Sequence, residues 1–108
     1  QHWYNISFGS SDAHITLTTN SQSNEIACEV YIPDTKNLFY VLENEKKIIE
    51  KELDMKLEWM ALDGKKASRI KISCDADITN SDEWDEYFKW LESTASKFQK
   101  VFPKYMKK

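Results

Sequence analysis

This 108-residue chain has few of the residues that interrupt or crosslink a fold: two glycines, two prolines and two cysteines. Phosphate-binding and dinucleotide-binding loops need several glycines at fixed spacing, so two glycines exclude both. The chain has no apolar run near the ~20 residues that a membrane-spanning helix requires. It also has no recognisable secretory signal, and we expect no membrane partner.

Cysteine and histidine are equally scarce. Cys28 and Cys74 are the only cysteines, and the histidines, His2 and His14, both lie upstream of them. No zinc-binding spacing can be formed from these residues. We predict two free thiols in a cytoplasmic protein, with a Cys28–Cys74 disulfide as the alternative. We predict no metal site and no cofactor.

The charge balance is mildly acidic. The formal net charge is −3, and Arg69 is the only arginine among 15 basic residues. A protein that holds nucleic acid by bulk charge needs a basic surface, so this balance disfavours such a function but leaves a local basic patch open. Only one side chain can provide bidentate recognition of phosphate or carboxylate.

Alternation of apolar and polar residues predicts strands over residues 3–8, 13–19 and 25–32, and two more over 56–62 and 67–74. Asp63-Gly64 lies between the last two and indicates a hairpin with a type I′ turn. The extra Lys65 and Lys66 favour a longer loop or a bulge as the alternative.

Apolar residues at steps of three and four predict two helices, over residues 34–53 and 80–102. Asp34 or Thr35 is the expected cap of the first, and Asn80 with Glu83 suggests a capping box for the second. The expected inner stripe of the first helix is Leu38, Leu42, Ile49 and Leu53, with Phe39 and Val41 at its flanks. That of the second is Trp84, Phe88, Leu91, Ala95, Phe98 and Phe102. We expect residues 104–108 to be a frayed tail.

The order β-β-β-α-β-β-α predicts an α+β fold: a two-layer sandwich in which two helices cover one face of an antiparallel sheet of about five strands. We interpret residues 1–108 as a single domain. Because the chain begins with Gln1, we read it as the C-terminal fragment of a longer protein.

The outer face of this sheet is the candidate binding surface. Strand parity places five residues there, which are Trp3, Glu29, Tyr31, Arg69 and Lys71. Aromatic rings beside cationic groups can stack nucleic-acid bases, or can dock another domain or a second copy. The alternative is structural, with Glu29 paired to Arg69 or Lys71 across the sheet. Trp59 is ambiguous, and Trp90 either packs at the core rim or joins a contact surface on the last helix.

Catalytic chemistry has little support in the sequence. Acid-x-Lys triplets occur, but none combines the acid and the lysine within one strand, as a nuclease metal site needs. Cys28 and Cys74 point inward by parity, and a buried thiol is inert. We interpret His14 as a surface residue rather than a general base. We therefore assign no catalytic residue.

Several segments together resemble a known family. They are residues 2–5 with Gly9, residues 29–32, 47–50, 57–59 and 68–70, and the run from Trp84 to Phe98. Their order resembles the uncharacterised domain found C-terminal to restriction-endonuclease-like (PD-(D/E)XK) nuclease domains in bacteria and archaea. The resemblance covers nearly the whole chain and implies a nuclease-like domain upstream and a role in DNA processing or defence.

The leading hypothesis is therefore a non-catalytic accessory module. It docks onto the nuclease-like domain, or pairs with itself as a homodimer, through the outer sheet face or the flank of the last helix. The expected contacts are Trp3, Tyr31, Arg69 and Trp90. The alternative is a DNA- or RNA-binding module that uses the same face with Lys65, Lys66, Arg69 and Lys71.

Overall fold

The computed structural model describes the backbone of residues 2–106 and the side chains of residues 4–106. Five strands form one antiparallel sheet in the order β1-β2-β3-β5-β4. Their bounds are His2–Ser7 for β1, His14–Asn20 for β2, Glu25–Ile32 for β3, Glu58–Met60 for β4 and Ser68–Asp75 for β5. The helices are α1 over Lys36–Asn44, α2 over Lys46–Leu53 and α3 over Trp84–Met106. The predicted α+β class is confirmed.

The core lies between one face of the sheet and the helices. Ile15, Val30 and Ile70 come from three neighbouring strands and are fully buried. They pack in one cluster with Phe39 of α1 and Phe98 of α3. Each fully buried side chain of this size contributes roughly 1.5–3 kcal/mol relative to its exposed state. This face is called the inner face below, and the opposite one is the outer face.

The first predicted helix is in fact two. It breaks at Glu45, which ends α1 and begins α2 with φ −102° and ψ 15°. The break lies between Leu42 and Ile49, which are both fully buried. No side chain between these two residues is buried against the sheet. The N-cap position is Thr35, but its side chain makes no capping bond. Phe39, expected at the flank, is fully buried.

The start of α3 also differs from the prediction. Trp84 and Phe88 were expected in the core, yet 45% and 59% of their surfaces are exposed. Full burial along α3 begins only at Leu91, and Trp84 and Phe88 line open depressions beside the strands instead of the closed core. The Asn80 side chain caps a short 3₁₀ turn before α3, accepting a bond from the Asp82 N–H at 3.2 Å.

The C-terminal residues 104–106 are helical rather than frayed. Lys104 forms an ion pair with Glu52 of α2, and the Tyr105 hydroxyl donates a hydrogen bond to the same carboxylate. These contacts attach the last turn of α3 to α2. The remaining predicted tail residues, 107 and 108, lie outside the described residues.

The connection between β4 and β5 is a longer loop, which was the predicted alternative to a tight type I′ turn. The type I′ turn is wrong, because positive φ occurs at Leu62 and Gly64 and not at Asp63. Lys36 of α1 holds the loop in place, its ammonium group donating to the carbonyl oxygens of Ala67 at 2.9 Å and Leu62 at 3.3 Å. Trp59 of β4 lies on the inner face, where its ring N–H donates to Glu50 at 3.1 Å.

The neighbours Phe39 and Tyr40 on α1 provide a test of this packing. Phe39→Ala is expected to lower the free energy of unfolding by about 3–5 kcal/mol, because it leaves a cavity in the core. Tyr40→Ala, which truncates a half-exposed ring, should cost less than about 1.5 kcal/mol. Urea denaturation measures both. Equal losses would contradict the inward orientation of Phe39.

Candidate functional site

The outer face has no helical layer within the described part of the chain, so strand side chains alone form its surface. The register places Tyr31 of β3 between His14 of β2 and Arg69 of β5. In the next row, Glu29 lies between Thr16 and Lys71. Antiparallel pairing thus brings together residues that are up to 55 positions apart in sequence, from His14 to Arg69.

These rows enclose a polar depression of about 450 Å³, which we call the outer-face pocket. Its volume falls within the roughly 300–1,000 Å³ of small-molecule sites. The lining comes from four strands and consists of Asn5, His14, Thr16, Thr18, Glu29, Tyr31 and Arg69. The Thr16 hydroxyl donates to the Asn5 side-chain oxygen at 3.2 Å, which orients that wall of the pocket.

Glu29 is the most unusual residue of this pocket. It is only 4% exposed, although no helix covers it. Its carboxylate accepts one hydrogen bond, from Arg69 Nη1 at 3.4 Å. Burial raises the pKa of Glu29 above its ordinary value, while the nearby positive charges of Arg69, Lys71 and His14 act in the opposite direction. The predicted cross-sheet pair between Glu29 and Arg69 is confirmed.

Arg69 also contacts the aromatic side of the pocket. Its guanidinium carbon lies 5.2 Å from the centre of the Tyr31 ring, within the range of a cation–π interaction. The His14 ring is tilted against the other rim of Tyr31, with ring centres 5.4 Å apart. The buried Nε of Arg69 has no hydrogen-bond partner among the described residues.

Of the remaining predicted contact residues, Lys71 and Trp90 do not line the outer-face pocket. Lys71 is on the outer face but pairs with Glu25, at 3.7 Å. Trp90 belongs to the helical layer, where it is half-buried and packs against the core. Trp3 is in β1 and pairs with Thr18, but its side chain lies outside the described residues. Strand parity placed Tyr31 and Arg69 on one face, and His14 was interpreted as a surface residue but was not included among the candidate contacts.

A second surface lies where α3 passes the edge strand β1. Two adjoining apolar depressions, of about 500 and 390 Å³, share Thr19, Phe88 and Leu91. We call them together the edge groove. Its exposed aromatic residues are Tyr4 (68%), Phe88 (59%) and Trp84 (45%). Sequence reasoning missed this groove because it placed Phe88 and Trp84 in the core.

The two cysteines are free, as predicted. Cys28 is fully buried, and burial raises the pKa of its thiol to about 12, which removes its nucleophilic character at neutral pH. Cys74 is only half-buried, so its predicted burial is wrong. It lies near the end of β5, where it packs against the small cluster of Ile26, Ala76 and Leu91.

Residues 4–106 contain no group of three or more potential ligands that could hold a metal ion. Among the described helices, none has both the length and the apolar character needed to cross a membrane.

The raised pKa of Glu29 gives a prediction with a definite sign. A group whose pKa is higher in the folded state favours folding at low pH, and this contribution is lost as the pH rises through that value. Glu29→Gln removes the titration. The difference in melting temperature, variant minus wild type, should therefore become more positive between about pH 4 and pH 7. Thermal melts measure it, with Glu25→Gln as the control on the same strand and face. A constant or decreasing difference would contradict the prediction.

Comparison with curated proteins gives no match, and comparison with solved structures gives none either. One family model, described as "Domain of unknown function (DUF4268)", matches residues 1–106. The match covers nearly the entire chain. The chain therefore belongs to the DUF4268 family of domains of unknown function.

Proposed function

We propose that this domain is a non-catalytic interaction module whose partner is a second copy of itself, added at the free edge of β1. The observation that carries the proposal is the combination of an unprotected edge strand with exposed aromatic residues beside it. Each feature alone is common on protein surfaces. Their coincidence at one edge of the sheet supports a contact that uses both.

Strand β1 lacks most of the features that normally prevent edge pairing, although Gln99 of α3 donates to the Ser7 carbonyl oxygen at its C-terminal end, at 3.3 Å. Its six residues, HWYNIS, include no lysine, arginine, aspartate, glutamate or proline. Its register with β2 is continuous from His2 to Ser7, so no bulge twists the edge away. Natural proteins protect edges by charge, proline, bulges or shortness. The opposite edge, β4, is only three residues long.

The edge groove supplies the apolar part of the contact. Its three exposed aromatic residues leave on the order of 300 Å² of ring surface uncovered, if each ring buries about 150–250 Å² when enclosed. A second copy pairing antiparallel to β1 would extend the sheet around a two-fold axis perpendicular to it. The inner faces of both copies would then lie on the same side, and each Tyr4 and Phe88 would meet the partner's groove.

The charge distribution favours a second copy over a charged partner. A two-fold contact brings identical residues together, so any net charge on the edge would repel itself. Strand β1 carries no acidic or lysine side chain, so it adds no such repulsion, and Glu92 is the one charged residue among the described residues that line the edge groove. A polyanion such as DNA would gain little from an apolar groove, since its affinity comes mainly from neutralised phosphates.

Self-association can be tested with two matched lysine substitutions on helices. Phe88→Lys places a charge in the edge groove, whereas Ile48→Lys places one at a similarly exposed apolar site on α2 (48% exposed). We expect sedimentation equilibrium of the wild type and of Ile48→Lys to give twice the chain mass. Phe88→Lys should dissociate at least about tenfold more readily, because charge opposes burial of a central aromatic contact.

Tyr4→Lys provides a second variant, since it adds the protecting charge that the edge strand lacks, and it should dissociate in the same way. Circular dichroism checks that all variants remain folded. A wild type that stays monomeric at millimolar concentration would refute the proposal. So would equal weakening by Ile48→Lys and Phe88→Lys.

We also propose, from the resemblance described above, that the module serves a cytoplasmic protein with a PD-(D/E)XK nuclease domain. The free thiols support a reducing compartment. Sequencing the gene upstream of the codon for Gln1 tests the association, and we expect a nuclease-like domain in the same reading frame. A reading frame without one would contradict this part, while self-association would be judged separately by the sedimentation experiment.

A further inference from the structure

Two buried polar groups beside the outer-face pocket are poorly satisfied within the described residues. The Glu29 carboxylate receives a single hydrogen bond of 3.4 Å, although charge-assisted bonds of this type are usually about 2.7–2.9 Å long. The Arg69 Nε has no partner at all. Buried polar groups are normally paired, so the weakly paired Glu29 and Arg69 make this pocket a candidate site for a polar molecule.

The charges of the pocket restrict the kind of molecule. An anionic group inside the pocket would be repelled by the buried Glu29 carboxylate, so a phosphate group has to stay outside it. A cation would meet the guanidinium group of Arg69, which already lies over Tyr31. A neutral molecule with donors beside an acceptor satisfies both residues. The Tyr31 and His14 rings favour a flat molecule, because flat rings stack on aromatic side chains.

The order of hydrogen-bond donors and acceptors in the pocket restricts the class of ligand further. Arg69 Nη1 is a donor that lies directly beside the acceptor atoms of Glu29. Guanine presents the complementary order along one edge: the O6 acceptor, then the N1–H donor, then the N2–H donor. An ionised carboxylate accepts two parallel hydrogen bonds, so it fits these adjacent donors. On the corresponding edge, adenine, cytosine and uracil each have a single donor group with an acceptor beside it. None of them offers the two adjacent donor groups that guanine does.

We propose that the outer-face pocket binds a guanine base. Glu29 accepts hydrogen bonds from N1–H and N2–H, and Arg69 donates to O6. The base stacks against the aromatic side of the pocket. Because this edge of guanine is occupied in a Watson–Crick pair, the base must be unpaired. It comes either from a free guanine nucleotide or from single-stranded nucleic acid.

The chain offers a matched pair of carboxylates for the test. Glu29 and Glu25 lie on the same strand and the same face, but only Glu29 lines the pocket. Titration calorimetry would compare guanosine monophosphate with adenosine monophosphate. We expect the wild type and Glu25→Gln to bind the guanine nucleotide at least about tenfold more tightly, as one bidentate base contact provides.

Glu29→Gln should abolish this preference, because an amide presents one donor and one acceptor. It is the loss of base selectivity, rather than weaker binding alone, that distinguishes recognition from a structural role. If Glu29→Gln does not fold, Arg69→Lys replaces it, because lysine keeps the charge but loses the planar fork. That variant should also lose selectivity.

A third measurement identifies the source of the base. A single-stranded oligonucleotide of about eight residues with one central guanine is titrated against one with adenine there. Tighter binding of the guanine oligonucleotide than of the mononucleotide supports single-stranded nucleic acid, and equal affinity supports a free nucleotide. No detectable binding of either guanine probe at millimolar concentration would overturn the proposal, as would equal binding of adenine or unchanged selectivity in Glu29→Gln.

Discussion

The whole structure depends on helices that cover only one face of the sheet. In the central strand β3, Ile26 and Val30 point inward and are buried by the helical layer. The alternate residues Glu29 and Tyr31 point the other way, where no described helix covers them. Side chains on that face can exclude water only by packing against each other. Glu29 is therefore buried by its own neighbours on the sheet.

Because of this arrangement, the ion pair between Glu29 and Arg69 cannot simply be counted as stabilising. Taking a carboxylate out of water is costly, and the single long bond from Arg69 returns only part of that cost. The raised pKa of Glu29 shows the same imbalance, since burial outweighs the attraction of three positive groups. Replacing a whole buried ion pair by well-packed apolar residues is often neutral or stabilising, whereas removing one partner leaves the other charge uncompensated. The Glu29–Arg69 pair is therefore weak evidence for stability.

Strand positions were the part of the fold that the sequence predicted best. The side-chain period of a strand is two, so a correct boundary fixes which face every residue occupies. Tyr31 and Arg69 were placed on the outer face for this reason. His14 shares that parity, but its proximity to Tyr31 depends on the register of β2 with β3, which no local pattern encodes.

The helices were harder to predict for a related reason. Helical periodicity identifies which side of a helix is apolar, but not where the helix begins relative to the sheet. Phe88 and Phe98 share one stripe, yet Phe98 is fully buried whereas 59% of the Phe88 surface is exposed. The same stripe therefore supplies both core and exposed surface. The break at Glu45 was also missed, because both halves retain a consistent inner side.

The two proposed surfaces are compatible because β1 contributes to them with alternate residues. Tyr4 faces the edge groove, and Asn5, the next residue, lines the outer-face pocket. Pairing at the free edge of β1 uses backbone groups and the inner-face aromatics, so it leaves Asn5 accessible. Because the two-fold axis is perpendicular to the sheet, both pockets would open on the same side of the extended sheet. Self-association would thus place two base-binding sites where one nucleic-acid strand can reach both.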